Sequence, residues 1–238
     1  MKQATEVYAR TFDAVLLGLP QAIRTQIESK VSELGGKFVW NAEVTGFRTE
    51  GDRIRAVVTK AGEISGDEFV LAAGAWTPEV SKTAGIALPM QAGKGYSMLL
   101  EKPAQRPKLC SILCEARVAV TPMGSGLRVG GTMQIDGNDL TVNRRRVGGI
   151  TKSFPKYYTG FKTGDFDGVK VWAGLRPCTP DGMPYIGRSG AKRNLVVAAG
   201  HSMMGLSLGP VTGELVAQII SGEKPFLESA LLNPDRYR

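Results

Sequence analysis

Leu195-Val196-Val197-Ala198-Ala199-Gly200-His201-Ser202-Met203-Met204-Gly205-Leu206-Ser207 reads as a buried strand, a glycine-bounded turn and the start of a helix running to about Ser221. Such a turn lets backbone N–H groups and the positive helix end face a ligand carrying negative charge. It has neither the Gly-Lys-Ser/Thr of a P-loop nor a GxGxxG spacing, so no phosphate cradle is specified. Gly205, Gly209 and Gly213, four apart, would equally give a smooth helix face for close packing. Binding and packing both fit at this point.

Outward from this stretch the chain alternates. Residues Pro20 to Leu34 place Ile23, Ile27, Val31 and Leu34 at helical spacing, with Gly35-Gly36 as the stop. Lys37–Trp40, Glu43–Arg48 and Ile54–Thr59 predict a strand and then a hairpin. Phe69–Ala73 is a continuous apolar run ending at Gly74, the pattern of a strand buried on both faces, and Trp76-Thr77-Pro78 opens a short helix. Between about Gln91 and Ala173 the pattern becomes β-prone segments separated by turns, interrupted by a basic helix candidate over Leu140–Ser153. The outer thirds therefore read as α/β and the middle third as an inserted antiparallel sheet.

The 238 residues carry 30 Lys plus Arg against 22 Asp plus Glu, a net charge of +8. The one dense basic run, Arg144-Arg145-Arg146, has no interleaved aromatics for base stacking, so nucleic-acid binding is set aside. The amino end, with Glu6, Arg10 and Asp13, lacks the apolar core of a signal peptide, and no apolar stretch is long enough to span a bilayer. A cytoplasmic protein is expected. Cys110, Cys114 and Cys178, with His201 the only histidine, do not make a metal set, and reduced core thiols are expected.

Trp172 to Pro184 forms a second constellation. An Arg at the end of a β segment and followed by Pro, as Arg176 is, suits a two-point grip on a carboxylate. Taken alone, it fits a salt bridge, with Asp181 a partner, better than a ligand role. His201 beside its turn invites a general-base role, but most such residues only hydrogen-bond locally.

Six segments in order carry a resemblance: Glu43-Val44-Thr45-Gly46, Val70 to Thr77, Lys94-Gly95-Tyr96, Gly130-Gly131-Thr132, Gly174 to Gly182, and Ala199 to Gly213. Together they resemble the FAD-dependent amino acid oxidoreductases of the D-amino acid oxidase superfamily, of the bacterial D-amino acid dehydrogenase and glycine oxidase type. The resemblance implies a mixed α/β fold: a partial FAD-binding Rossmann-like domain from residues 1–87 and 191–238, with an antiparallel-sheet substrate domain, 88–190, inserted. It implies FAD contacts from Val44, Ala73, Gly74, Trp76, Gly200, His201, Met203, Met204, Gly205, Leu206 and Ser207. Arg176 would hold the carboxylate of an amino acid substrate, and Tyr96 would stand on the substrate side.

The family pattern opens with a strand, a GxGxxG turn and a helix for the FAD pyrophosphate. Met1 to Leu19, with Gly18 its only glycine, does not show this unit. The sequence looks like the carboxyl-terminal part of the family's chain. Three expectations follow: a truncated form, a subunit of a split enzyme whose dinucleotide-binding half lies on a second chain, or a non-catalytic carboxylate-binding protein, which a homo-oligomer without flavin would favour. The basic charge is compatible with peripheral contact at an acidic inner-membrane surface.

Overall fold

A computed structural model describes residues 6–8 and 21–238. The expectations for Pro20, Gly18 and the rest of Met1 to Leu19 outside 6–8, and for the side chain of Ile23, lie outside the described residues. The chain divides into two compact units, Met1–Met90 with Pro177–Arg238, and Gln91–Arg176.

In the first unit β1 (Glu6–Tyr8) pairs in parallel with β2 (Lys37–Val39). Helix α1 (Gln21–Glu33) half-buries Ile27 and Val31 and stops where Gly35 takes a φ of 84°. A Cβ on Gly36 would stand 2.6 Å from Val31 Cγ1, so the chain can turn back on the helix only with glycine there. The predicted hairpin is a three-stranded meander, β3 (Val44–Glu50), β4 (Arg53–Thr59) and β5 (Gly62–Ser65). Its third strand was hidden by the short, polar Gly62-Glu63-Ile64-Ser65.

A second sheet sets β6 (Phe69–Leu71) parallel to β13 (Leu195–Ala199), with β12 (Tyr185–Arg188) antiparallel on the other side of β13. Leu195, Val196 and Val197 are fully buried, as expected of a central strand. The expectation that Phe69–Ala73 is buried on both faces is corrected: β6 lies at the edge of this sheet, Phe69 and Leu71 face the core, and Val70 is 46% exposed. Strand alternation alone produces that pattern once one face is packed. Ile54, Phe69, Leu71, Ile86, Tyr185 and Val197 belong to one core cluster. Buried Asn194 stitches the meander to this sheet, its amide bonded to both the N–H and the C=O of Ile54 at 2.9 Å. Such a group is tolerated inside because its hydrogen bonds are made.

Among its described residues the second unit is a five-stranded sheet, ordered β11-β7-β10-β9-β8: β7 (Gln91–Leu100), β8 (Ser111–Leu113), β9 (Val118–Met123), β10 (Gly126–Gln134) and β11 (Val171–Cys178). Met98, Val118, Val120, Leu127 and Val129 form its core with Phe154, Phe161 and Phe166. Helix α3 (Arg144–Ser153), capped by Asn143, brings Ile150 into that core and leaves Arg144, Arg145 and Arg146 exposed. The core-thiol expectation is corrected as well, because Cys110 and Cys114 are exposed and Cys178 is half-buried. Residues 177–190, read from sequence with the inserted segment, include β12 and stand in the first unit.

Candidate functional site

The turn after β13 is built by backbone strain and cross-chain bonds. Gly200 has a φ of 91°, and a Cβ there would lie 2.6 Å from Thr179 Cγ2, so only glycine fits. Ser202, at a φ of 50°, donates its N–H to Pro177 O at 2.9 Å. Cys178, in the same unit as the turn, bridges His201. His201 is spent locally: its Nε2 lies 2.9 Å from Thr212 Oγ1 on helix α4 (Gly205–Ser221). Burial lowers the imidazole pKa from its ordinary value, which favours the neutral ring.

The start of α4 has the features of a binding surface. Among the described residues no side chain caps it, so the N–H groups of its first turn, Gly205 to Ser207, have no side-chain acceptor there. Around them Met203 is 70% exposed, and Met204 and Leu206 are also exposed. A Cβ on Gly209 or Gly213 would meet nothing within 4 Å among the described residues, and one on Gly205 would only touch His201 Cβ at 3.7 Å, so the glycine series does not mark a close-packed face there. A flat, electron-poor ring with a negatively charged edge fits apolar side chains beside free helix N–H donors.

The second glycine turn, at Gly74 with a φ of 53°, leads through a 3₁₀ turn (Gly74–Trp76) into α2 (Thr77–Lys82). Ala73 and Trp76 are half-buried here. Thr77 Oγ1 is buried without a hydrogen-bond partner among the described residues, a cost that a polar ligand atom at this turn would offset. Val44 opens β3, half-buried against the first core cluster.

In the second unit the backbone forms a slot around Arg176. Its Nη1 donates to Thr132 O at 3.1 Å and Gly93 O at 3.4 Å. A Cβ on Gly95 would collide with the same nitrogen, so the guanidinium lies on bare backbone. The β10–β7 register passes from Gly131↔Tyr96 to Gln134↔Lys94, so Thr132 and Met133 together oppose Gly95 alone. This is a β-bulge, a device that re-aims strand groups. It aims the Thr132 carbonyl at Arg176, with Thr132 at a φ of 76°.

Tyr96 is interior, its hydroxyl donating to Gln134 Oε1 at 2.8 Å and accepting from Asn143 N–H at 3.2 Å. The pairing of Arg176 with Asp181 is corrected: Arg236 takes that carboxylate through Nε and Nη2 at 2.9 and 3.0 Å. Those bonds hold the Asp181 carboxyl well below the ordinary carboxylate range. The Arg236 guanidinium also lies 4.0 Å over the Tyr185 ring, tying the chain's last residues to the loop before β12. Neither the bulge nor Arg236 has a local sequence signal; the only hint was Gly95 between Lys94 and Tyr96.

The family model described as DAO, FAD dependent oxidoreductase, matches residues 20–219. A D-amino-acid oxidase of Bradyrhizobium diazoefficiens is 35% identical over 207 residues, 85% of this chain and 48% of that protein. A D-amino acid dehydrogenase of Rhizorhabdus wittichii is 38% identical over 213 residues, covering 85% and 49%. The chain thus spans about half the length of the curated relatives it matches. Among solved structures, glycine oxidase from Geobacillus kaustophilus superposes with a TM-score of 0.78 at 23% identity, over 91% of this chain and 58% of that one. For L-proline dehydrogenase from P. horikoshii the values are 0.76, 27%, 90% and 59%. No helix among the described residues is long and apolar enough to cross a membrane.

Proposed function

Because the chain belongs to the DAO family of FAD-dependent oxidoreductases, we propose that it serves in the dehydrogenation of a D-amino acid, with Arg176 as the carboxylate grip. The observation that carries this reading is the Arg176 slot: a half-buried guanidinium fixed by two backbone carbonyls over a glycine. An arginine held in this way has little side-chain entropy left to lose when it takes up a carboxylate. The names of the relatives supply the substrate class.

The flavin, when bound, supplies a two-electron acceptor for the α-hydrogen and its electron pair. The chain's own part is positioning. Arg176 fixes the carboxylate and with it the direction of the α-carbon. The uncapped start of α4 offers N–H donors where negative charge accumulates, and Met203, Met204 and Leu206 keep that surface dry. Gly74, at a φ of 53° that a side chain would strain, shapes the second turn offered to the cofactor. His201, bonded to Thr212, orders the turn. Tyr96, with both its hydrogen-bonding capacities used, acts as a positioning group for the bulge. Loss of one proton from the substrate nitrogen to solvent leaves an imine, which water hydrolyses to the keto acid and ammonia without a protein nucleophile.

A second reading, in which another chain completes the cofactor site, draws on the end position of β6 among the described strands and on its exposed Val70. The visible spectrum of the purified chain, taken after FAD is added and the excess removed, separates the two. The first reading expects a retained flavin spectrum that bleaches anaerobically with a D-amino acid. A colourless protein would reject it and favour the second.

A further inference from the structure

Resting on the reading of Arg176 as the carboxylate grip, we propose that Lys94 is a positioning residue that holds the Thr132–Met133 bulge in shape from behind the strand. Lys94 is 1% exposed, yet all three ammonium protons have acceptors: Asp136 Oδ2 at 3.0 Å, Asp139 Oδ2 at 3.2 Å and Thr141 O at 3.1 Å. A buried ammonium is tolerated only when paired and hydrogen-bonded in this way. Burial works against its charge, but the hydrogen bonds with Asp136 and Asp139 outweigh it and raise the pKa above the ordinary lysine value. It is therefore a fixed cation and not a base.

Strand alternation gives the network its direction. Lys94 and Tyr96 project to one face of β7, and Gly95, between them, turns the other face to Arg176. The two cross-strand pairs bracketing the bulge are Tyr96 with Gly131 and Lys94 with Gln134. Gln134 is held twice: it accepts from the Tyr96 hydroxyl, and its amide donates to the Asp136 oxygen that Lys94 also binds. Asp139 is locked in turn by the N–H and hydroxyl of Thr141. The residue after the bulge is thus pinned through Lys94, while Thr132, held at positive φ, points its carbonyl at the guanidinium. Strain of this kind persists only where the surroundings impose it. When Lys94 is removed, Thr132 relaxes and the Arg176 anchor goes with it.

The test is calorimetric titration of the full chain with D-alanine, with ethylamine as the carboxylate-free control. Lys94→Met is expected to weaken D-alanine binding by about tenfold, and Asp139→Asn, which removes one charged acceptor and keeps the fold if Lys94→Met does not, by about threefold. Val120→Ala, a destabilising change in the same core, is expected to lower Tm and leave affinity unchanged. Amide exchange at Met133 and Gln134 should rise in the Lys94 and Asp139 variants only. Affinity within about twofold of the parent in both network variants overturns the proposal, as does equal weakening in Val120→Ala. Unchanged binding in Arg176→Ala would instead overturn the carboxylate reading beneath it.

Discussion

The turn after β13 and the slot on β7 each carry a glycine whose missing Cβ leaves room for a close neighbour, but with opposite consequences. At Gly200 the obstacle is the packed Thr179 methyl together with a φ of 91°, so the glycine serves the fold. At Gly95 the obstacle is the far end of Arg176, which can swing away, so the glycine serves the placement of the guanidinium. The turn offers backbone donors ringed by exposed apolar side chains. The slot offers one cation held by backbone acceptors. A glycine's role is thus decided by what its missing Cβ would displace.

Gly95→Ala should therefore break the slot with little loss of stability. Displacing Arg176 forfeits a charge-assisted carboxylate contact of about 2–3 kcal/mol, roughly a hundredfold in D-alanine affinity by titration. An unchanged affinity would mean the guanidinium does not hold the ligand. Gly200→Ala should do the reverse, costing about 1–3 kcal/mol of stability in a thermal melt through strain at positive φ and the clash with Thr179.

Acid melts sharpen the contrast. His201 is depressed below 6.5 in the fold, so below that pH the unfolded chain takes up the proton first and the turn's contribution falls as pH drops. His201→Gln should flatten stability in that window. Asp139 is held at about 2, first by the hydrogen bond from the Thr141 hydroxyl, so its contribution is complete above 3.8 and is lost as pH falls through about 2. Asp139→Asn should flatten only this lower window, and equal curves for parent and variant would remove Asp139 from the account. The smallest effect is expected at Thr132→Gly. Relief of left-handed strain and the added unfolded-state entropy nearly cancel, for a net gain under about 1 kcal/mol in a urea titration.

The same contrast explains what could be read from the sequence. Strand β13 and helix α4 coincide with the expected Leu195–Ala199 and Gly205–Ser221, because an apolar run, a glycine and a helical period are local signals. The inserted sheet was visible from its alternating segments and turns. The slot was not, since a bulge is defined by the partner strand and Thr132 carries no mark of its positive φ. Asp181 was paired with the nearest arginine in sequence, whereas Arg236, 55 residues away, takes it. The exposure of Val70 is not legible in the sequence, because an edge strand and a central one share the same apolar run. Lys94 stood in a motif, but its burial among Asp136, Asp139 and Thr141 needed the loop after β10 to fold back.

The most direct test of this division of labour is an amide and arginine-side-chain NMR titration of the chain, first with FAD and then with D-alanine. FAD should shift Gly205, Leu206 and Ser207, and D-alanine should shift the Arg176 Nε–H together with Thr132 and Met133. D-alanine shifts that leave Arg176 and the bulge unmoved, or FAD shifts that spare the start of α4, would contradict the account.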